Sequence, residues 1–290
     1  TQDFLLELGT EELPPRLLVK LSSSLKDNII NELKQLNIST SNVIAYATPR
    51  RLAITIAELQ SKQQDQLIEK KGPSVESADK AIEGFAKSCG VDISKLEKRS
   101  FGNKEYYFYK TQETGKNIQS LLPKIIESSI NNIPITRAMK WGDLDYSFVR
   151  PVHWLVMMLD NEVVPAHIMG LESGNTTKGL RSNEDSLLEI SHANKYHSIM
   201  LNKAKIEVDF DKRKEIIRQQ VLEVAKTKNA EVVIDDSLLD EVCALVEYPR
   251  AFSGTFDKRF LTVPEEALIS AMKLHQKYFH MVDSNGNLLP

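Results

Sequence analysis

The sequence predicts an α+β protein, and three observations carry that prediction. Short apolar runs such as Phe4-Leu5-Leu6 and Leu52-Ala53-Ile54-Thr55-Ile56 alternate with stretches of helical period such as Arg16 to Leu36 and Asp209 to Lys228. Strands and helices are mixed along the chain, with no internal repeat. The 290 residues, 41% hydrophobic, suffice for one sizeable core and more naturally for two. The expected division is a small α+β unit over 1–60, a linker over 61–77, and a larger α+β domain over 78–290, truncated at its C-terminal end.

In chain order, Phe4 to Leu8 reads as a short buried strand, Gly9 as a tight exit, and Pro15 as the first position of a helix running to about Leu36. Val43 to Ala57 reads as the strand that closes this unit. Ser61 to Ser77, rich in Gln, Lys and Asp and holding Gly72-Pro73, reads as the linker. Helices are expected over 78–90, 118–130, 209–228 and 236–246, and an aromatic strand over 105–111. Pro151 to Leu159 reads as an apolar strand, with Val163 to Met169 as its partner across Asp160-Asn161. A last strand, Tyr278 to Val282, meets a turn at 283–287 whose returning strand stops at Pro290. With Thr1 standing first, this is expected to be the N-terminal portion of a longer protein, less than half of it.

A net charge of −3 argues against nonspecific wrapping of nucleic acid, although local basic faces can hold phosphate on an acidic protein. No apolar run approaches the roughly 20 residues needed to span a bilayer, and no secretory leader is legible. A cytoplasmic protein without a membrane partner is expected. Cys89 and Cys243 are too few for a disulfide framework or a zinc site. His192 and His197, like His275 and His280, are five apart and would diverge on a helix, so no metal site is expected.

Glu11 and Glu12, adjacent in extended structure, would point to opposite sides and not act as a paired acid and base; capping the helix at Pro15 is the simpler role. Arg50 and Arg51, after Thr48-Pro49, present neighbouring guanidinium groups on a restrained turn, suited either to phosphate or to an internal acid such as Glu11 or Glu12. Arg137, Lys140, Trp141, Arg150 and His153 form the densest cationic and aromatic group, either an RNA surface or packing around a core indole. His153, between Val152 and Trp154, reads as buried. Lys273 and Lys277 sit toward the end of a helix that begins after Pro264, where bases suit the dipole and could also hold a phosphate.

No Gly-x-x-x-x-Gly-Lys-Ser/Thr loop, Gly-x-Gly-x-x-Gly fingerprint or Gly-x-Ser-x-Gly elbow occurs, and no catalytic residue is assigned.

Several unusual words, in order, carry a resemblance: Leu8-Gly9-Thr10-Glu11-Glu12-Leu13-Pro14-Pro15, Ala47-Thr48-Pro49-Arg50-Arg51-Leu52, Lys70-Lys71-Gly72-Pro73, Met139-Lys140-Trp141-Gly142, Val149-Arg150-Pro151-Val152-His153 and Gln276-Lys277-Tyr278-Phe279, with Leu245-Val246-Glu247-Tyr248-Pro249 as a further landmark. Together they span the chain and resemble the bacterial glycyl-tRNA synthetase β subunit family. One word departs: Gly179-Leu180-Arg181-Ser182 stands where the family would read Gly-His-Arg-Phe, leaving Arg181 as a further candidate cation.

The resemblance implies a complex of two α and two β chains that joins glycine to tRNA(Gly) using ATP with Mg, with adenylate formation in the α chain. The β chain would contribute tRNA recognition, bind no cofactor in this fragment, take no DNA, and not be catalytic alone. It also implies that residues after about 60 resemble the editing-type domain of the phenylalanyl-tRNA synthetase β subunit. Two other readings stay open: an assembly scaffold without RNA contacts of its own, and a hydrolase using His153 or His167.

Overall fold

The computed structural model describes residues 1–102, 104–182 and 187–290. The chain opens with β1 (Gln2–Thr10), buried from Phe4 onward. A 3-10 turn at Pro15–Leu17, its first φ fixed by proline, leads into α1 (Leu18–Gln35), whose buried Leu18, Leu21, Leu25, Ile29 and Leu33 fall on one stripe. The strand expected over 43–57 is two strands, β2 (Val43–Thr48) and β3 (Arg51–Leu59), paired antiparallel from Thr48 and Arg51 outward. Pro49 has no N–H to give a ladder, so the chain reverses at Pro49-Arg50.

The chain divides into two compact units, Lys62–Ile118 and the remainder. This corrects both the linker and the single domain expected over 78–290. Residues 61–77 carry β4 (Gln66–Ser74), which pairs with one edge of the central strand of a three-stranded antiparallel sheet. Between its strands lies α2 (Asp79–Cys89), ended by Gly90 at φ +70°, a left-handed cap that suits glycine. Then come β5 (Glu97–Phe101) and the central β6 (Lys104–Glu113). The polar composition that suggested a linker belongs to a strand of which one face stays in water. Gly72 marks the other face: a Cβ there would lie 2.5 Å from the ring of Phe85 on α2.

In the larger unit α3 (Ile118–Asn131) is followed by the strand Val152–Leu159. Here β1 is central, antiparallel to β3 on one side and to Val152–Leu159 on the other, with β2 outside β3. Leu171–Gly174 runs parallel to Val152–Leu159 beyond it. The partner expected over 163–169 pairs with Val152–Leu159 only through Glu162–Val163, after which His167–Ile168 turns to Leu171–Glu172.

Register decides what each face holds, because residues directly opposite share a face. Leu5, Glu7 and Gly9 align with Thr55, Ala53 and Arg51 on β3 and with Met158, Val156 and Trp154 across the other edge. That face is covered by Ile190, Ala193, Ile206, Val208 and α4 (Tyr196–Ile199), while Phe4, Leu6 and Leu8 are left for the side on which α1 packs over β2 and β3.

The last third supplies α5 (Phe210–Thr227), capped by the Asp209 carboxylate, and α6 (Asp236–Cys243), capped by Asp235. Arg213 on α5 is fully buried; it donates to the carbonyls of Ala47 (2.8 Å), Glu207 (2.6 Å) and Cys243 (3.2 Å), which ties β2 to both helices. Burial pushes the Cys243 thiol up to about 11, so this cysteine is inert at neutral pH. After α7 (Glu265–Ala271), the last strand, expected over Tyr278 to Val282, is confined to Met281–Val282 and pairs with Glu231–Val232. No helix among the described residues is long and apolar enough to cross a membrane.

Candidate functional site: a cation-lined end of the central sheet

The first site word folds around an indole. Trp154, Gly9 and Arg51 form one row across three strands. A Cβ on Gly9 would lie 1.8 Å from a Trp154 ring carbon, so only glycine lets the indole lie flat over β1. The ring then lies under three cations, with Arg51 Cζ 5.7 Å, Arg50 Cζ 5.9 Å and Lys178 Nζ 5.3 Å from its centroid.

One row inward, Glu7 is fully buried, a charge inside the apolar run Phe4 to Leu8. Its Oε1 accepts from Trp154 Nε1 and Thr177 Oγ1, and its Oε2 from the Tyr196 hydroxyl. Arg51, also fully buried, places Nη1 3.7 Å from Glu7 Oε2 and donates from Nε to Glu247 Oε1 at 3.2 Å; Thr48 Oγ1 reaches the same Glu247 oxygen at 2.7 Å. Both Arg51 terminal nitrogens donate to the Lys178 carbonyl at 3.1 Å. Desolvation opposes the Arg51 charge, but Glu247 and then Glu7 outweigh it and hold the guanidinium above its ordinary value. Burial, followed by the Glu7 charge, raises the Tyr196 hydroxyl well above its own, which keeps it a donor.

The outer rim is exposed. β1 ends at Thr10 and the chain bends, so Glu11 and Glu12 do not diverge: Arg181 Nη1 reaches Glu11 Oε2 at 3.5 Å and also pairs with Glu12. His153 Nε2 lies 3.0 Å from Glu11 Oε1. Neither carboxylate caps the helix, because the start at Pro15 has no side-chain cap. The Arg181 hydrogen bond holds the Glu12 carboxyl below its ordinary 4.5.

The structure therefore brings Arg50, Arg51, His153 and Arg181 to one end of the sheet. Arg50 is half-buried, its Nε enclosed without a protein partner. Arg51 is a correction: it faces inward and cannot meet a phosphate in this fold, and its acids are Glu7 and Glu247 instead of Glu11 or Glu12. His153 is a second correction, exposed because strand alternation sends its neighbours Val152 and Trp154 inward.

The other candidates make contacts of their own. Lys140 pairs with Asp145 at 3.3 Å on a short hairpin that carries the half-buried Trp141, Arg137 is exposed in the loop before it, and Arg150 donates to the carbonyl of its neighbour Val149. Lys273 and Lys277 reach back to Asp235 (2.7 Å) and Glu241 (2.9 Å), and the Lys273 hydrogen bond holds Asp235 far below the usual carboxylate range. Sequence reading missed Glu7, Thr177, Lys178, Tyr196 and Glu247. A lone acid within an apolar strand is the signal that Glu7 offered.

Ligand-type atoms of Asp3, Asp160 and His192 come within 4.8 Å of one another, an association that helix spacing of the histidines did not suggest. Their bonding is internal: Asp160 Oδ1 accepts the Asp3 N–H at 2.8 Å, and Asp3 Oδ2 accepts from Asn194 at 2.8 Å.

Comparison with known proteins agrees with the ordered words. The chain is 44% identical to a Chromohalobacter salexigens protein named glycine–tRNA ligase beta subunit, over 99% of this chain and 42% of that one. It is 43% identical to the protein of that name from Hahella chejuensis and 41% to that of Coxiella burnetii, in each case over 100% of this chain and 43% of the relative. It thus spans about two-fifths of the length of these relatives. A family model described as glycyl-tRNA synthetase beta subunit matches residues 4–290, and the chain belongs to that family.

Proposed function

We propose that this chain serves glycyl-tRNA synthesis as part of a β subunit, working with an α subunit that forms the adenylate from glycine and ATP with Mg, in a complex of two α and two β chains in the cytoplasm. The match of residues 4–290 to the family carries this reading. The geometry offers a place for tRNA(Gly): Arg50, Lys178, Arg181 and His153 line one sheet end around Trp154, and Arg50 keeps an enclosed N–H without a protein acceptor. Phosphate oxygens suit such donors. The rim would position the acceptor strand for a reaction carried out elsewhere, so no catalytic residue is assigned to it.

The test is glycylation of tRNA(Gly) by the matching α chain with the full-length form of this chain, wild type against Arg50→Ala with Lys178→Ala. A raised KM for tRNA with unchanged glycine-dependent adenylate formation supports the reading; unchanged tRNA kinetics would remove the rim from it.

One observation favours the scaffold alternative. Arg51, Lys140, Arg181, Lys273 and Lys277 are all paired with acids of the same chain. Under that reading the same double variant leaves tRNA affinity and its salt dependence untouched. Editing-type hydrolysis would rest on His153 or His167, and turnover of mischarged tRNA by the assembled enzyme is the measurement it requires.

A further inference from the structure

Among the described residues of the Lys62–Ile118 unit, the sheet carries a core on one face. Tyr107 and Tyr109 point to α2, where Ile82, Phe85, Ala86, Val75, Val91 and Leu96 complete a small core. The alternate residues Lys104, Tyr106, Phe108, Lys110 and Gln112 of β6 point the other way. Opposite them on that face stand Leu67, Glu69 and Lys71 of β4 and Glu97 and Arg99 of β5.

This outer face is not an apolar surface awaiting a core. It carries the cations Lys71, Arg99, Lys104 and Lys110 against the acids Glu69 and Glu97, both of which Arg99 engages. The unit as a whole has eleven Lys and Arg against nine Asp and Glu, in a chain of net charge −3. Its aromatics lie under cations: Lys71 Nζ is 3.9 Å from the centroid of half-buried Tyr106, and Arg99 Cζ is 5.6 Å from that of Phe108. Phe108 is buried and Tyr106 half-buried, so of these two rings Tyr106 is the one nearer a ligand.

We infer that this open face binds an unpaired stretch of RNA, one base stacking on Tyr106 and the flanking phosphates taken by Lys71, Lys104 and Lys110. A π-face accepts any base and a row of cations follows any backbone, so the recognition is of single-stranded character and not of sequence. The cation–π contact between the Lys71 ammonium and Tyr106 is of a strength that a stacked base can replace while the same ammonium moves to the phosphate beside it. Lys71 belongs to Lys70-Lys71-Gly72-Pro73, and the structure divides that word: Gly72 admits Phe85 on the covered face, and Lys71 serves the open one. This inference deepens the tRNA reading above and rests on it for its biological substrate, though not for its chemistry.

The test titrates the 290-residue chain into a fluorescein-labelled octauridylate and, separately, into a blunt RNA duplex of the same length. Tyr106→Ala should weaken single-strand binding on the order of tenfold, and Tyr106→Phe should leave it within about twofold. Lys71→Ala with Lys110→Ala should lower the log–log salt slope by about 1.4, at about 0.7 per phosphate contact on a single strand. Circular dichroism checks that Tyr106→Ala folds, and the lysine pair tests the inference independently if it does not. No binding of the octauridylate, equal affinity for the duplex, or indifference to both sets of substitutions overturns the inference, the first of these favouring a protein partner for the face. In full-length protein with its α chain, a Tyr106→Ala enzyme that charges tRNA(Gly) with unchanged KM would overturn only the platform. Loss of charging by the wild type itself would instead defeat the synthetase reading.

Discussion

Two pairings of carboxylate and arginine stand a few residues apart on the same stretch of chain, and they have opposite characters. Glu7 meets Arg51 inside the sheet face, both groups fully buried. Glu11 and Glu12 meet Arg181 on the rim, all three more than a third exposed. Inside, neither charge has water to return to, and the two oxygens of Glu7 together take donors from three elements: Val152–Leu159, the short strand Thr176–Lys178 and α4. On the rim, water and salt compete with each contact and the side chains stay free to reorient. The inner cluster therefore fixes how the elements meet, while the contacts of the outer one are exposed to exchange with water and salt.

The largest break in this comparison comes from Arg51→Ala. It leaves Glu7 and Glu247 buried near one another without their shared cation, and a broken buried pair costs about 3–5 kcal/mol. The urea midpoint should fall accordingly, and a loss below 1 kcal/mol would mean that the inner cluster opens to water easily. Arg51→Met, which removes the charge but keeps much of the volume, should be no milder, because the two carboxylates remain.

Gly9→Ala attacks the same cluster sterically. Its methyl would lie 1.8 Å from Trp154, so the indole must shift and loosen its hydrogen bond to Glu7. Overpacking of this kind costs about 1–3 kcal/mol. Trp154 is one of two tryptophans, so the change should also appear in fluorescence. Combined with Trp154→Leu, the loss should be less than the sum of the two single losses, since both act on one contact.

Asp209→Ala lies outside both clusters and removes the cap that accepts from the Asp211 and Lys212 N–H groups. A loss of about 1 kcal/mol is expected. An equal or larger effect than that of Gly9→Ala would show that α5 and its Arg213 stitch, instead of the indole row, govern stability.

What could be read from sequence follows the range of the interactions. α1 is set by local period and by the proline at its entry, α5 and α6 by local period and local caps, and their limits agree closely with expectation. The hairpin at Pro49-Arg50 was also local, but the alternating residues on both sides of Pro49 hid the break. The Lys62–Ile118 unit was misjudged because a strand with one wet face has the composition of a linker. The inner cluster was out of reach for a different reason. Glu7, Arg51, Tyr196 and Glu247 are scattered over 241 positions; the register of β1 against β3 sets Glu7 near Arg51, and the packing of α4 and of the segment after α6 brings Tyr196 and Glu247 to them. Gly9 needed the same information, since its glycine answers an indole 145 residues away.

The smallest expected effect, Arg181→Ala, sharpens the comparison most because its size depends on pH. An exposed pair contributes about 0–1 kcal/mol, so at neutral pH the urea midpoint should scarcely move. The Arg181 hydrogen bond depresses the folded Glu12 carboxyl below 4.5, so the pair stabilises the fold above that value and the contribution disappears as the pH falls through the lower folded value. The small gap between wild type and variant should therefore close on acidification, and 0.5 M salt at neutral pH should close it as well. A gap that persists once Glu12 is protonated, or in salt, would place Arg181 with the buried class. If the gap behaves as expected while tRNA affinity falls, Arg181 has its main use on the rim, where exchanging a carboxylate for a phosphate costs the fold almost nothing.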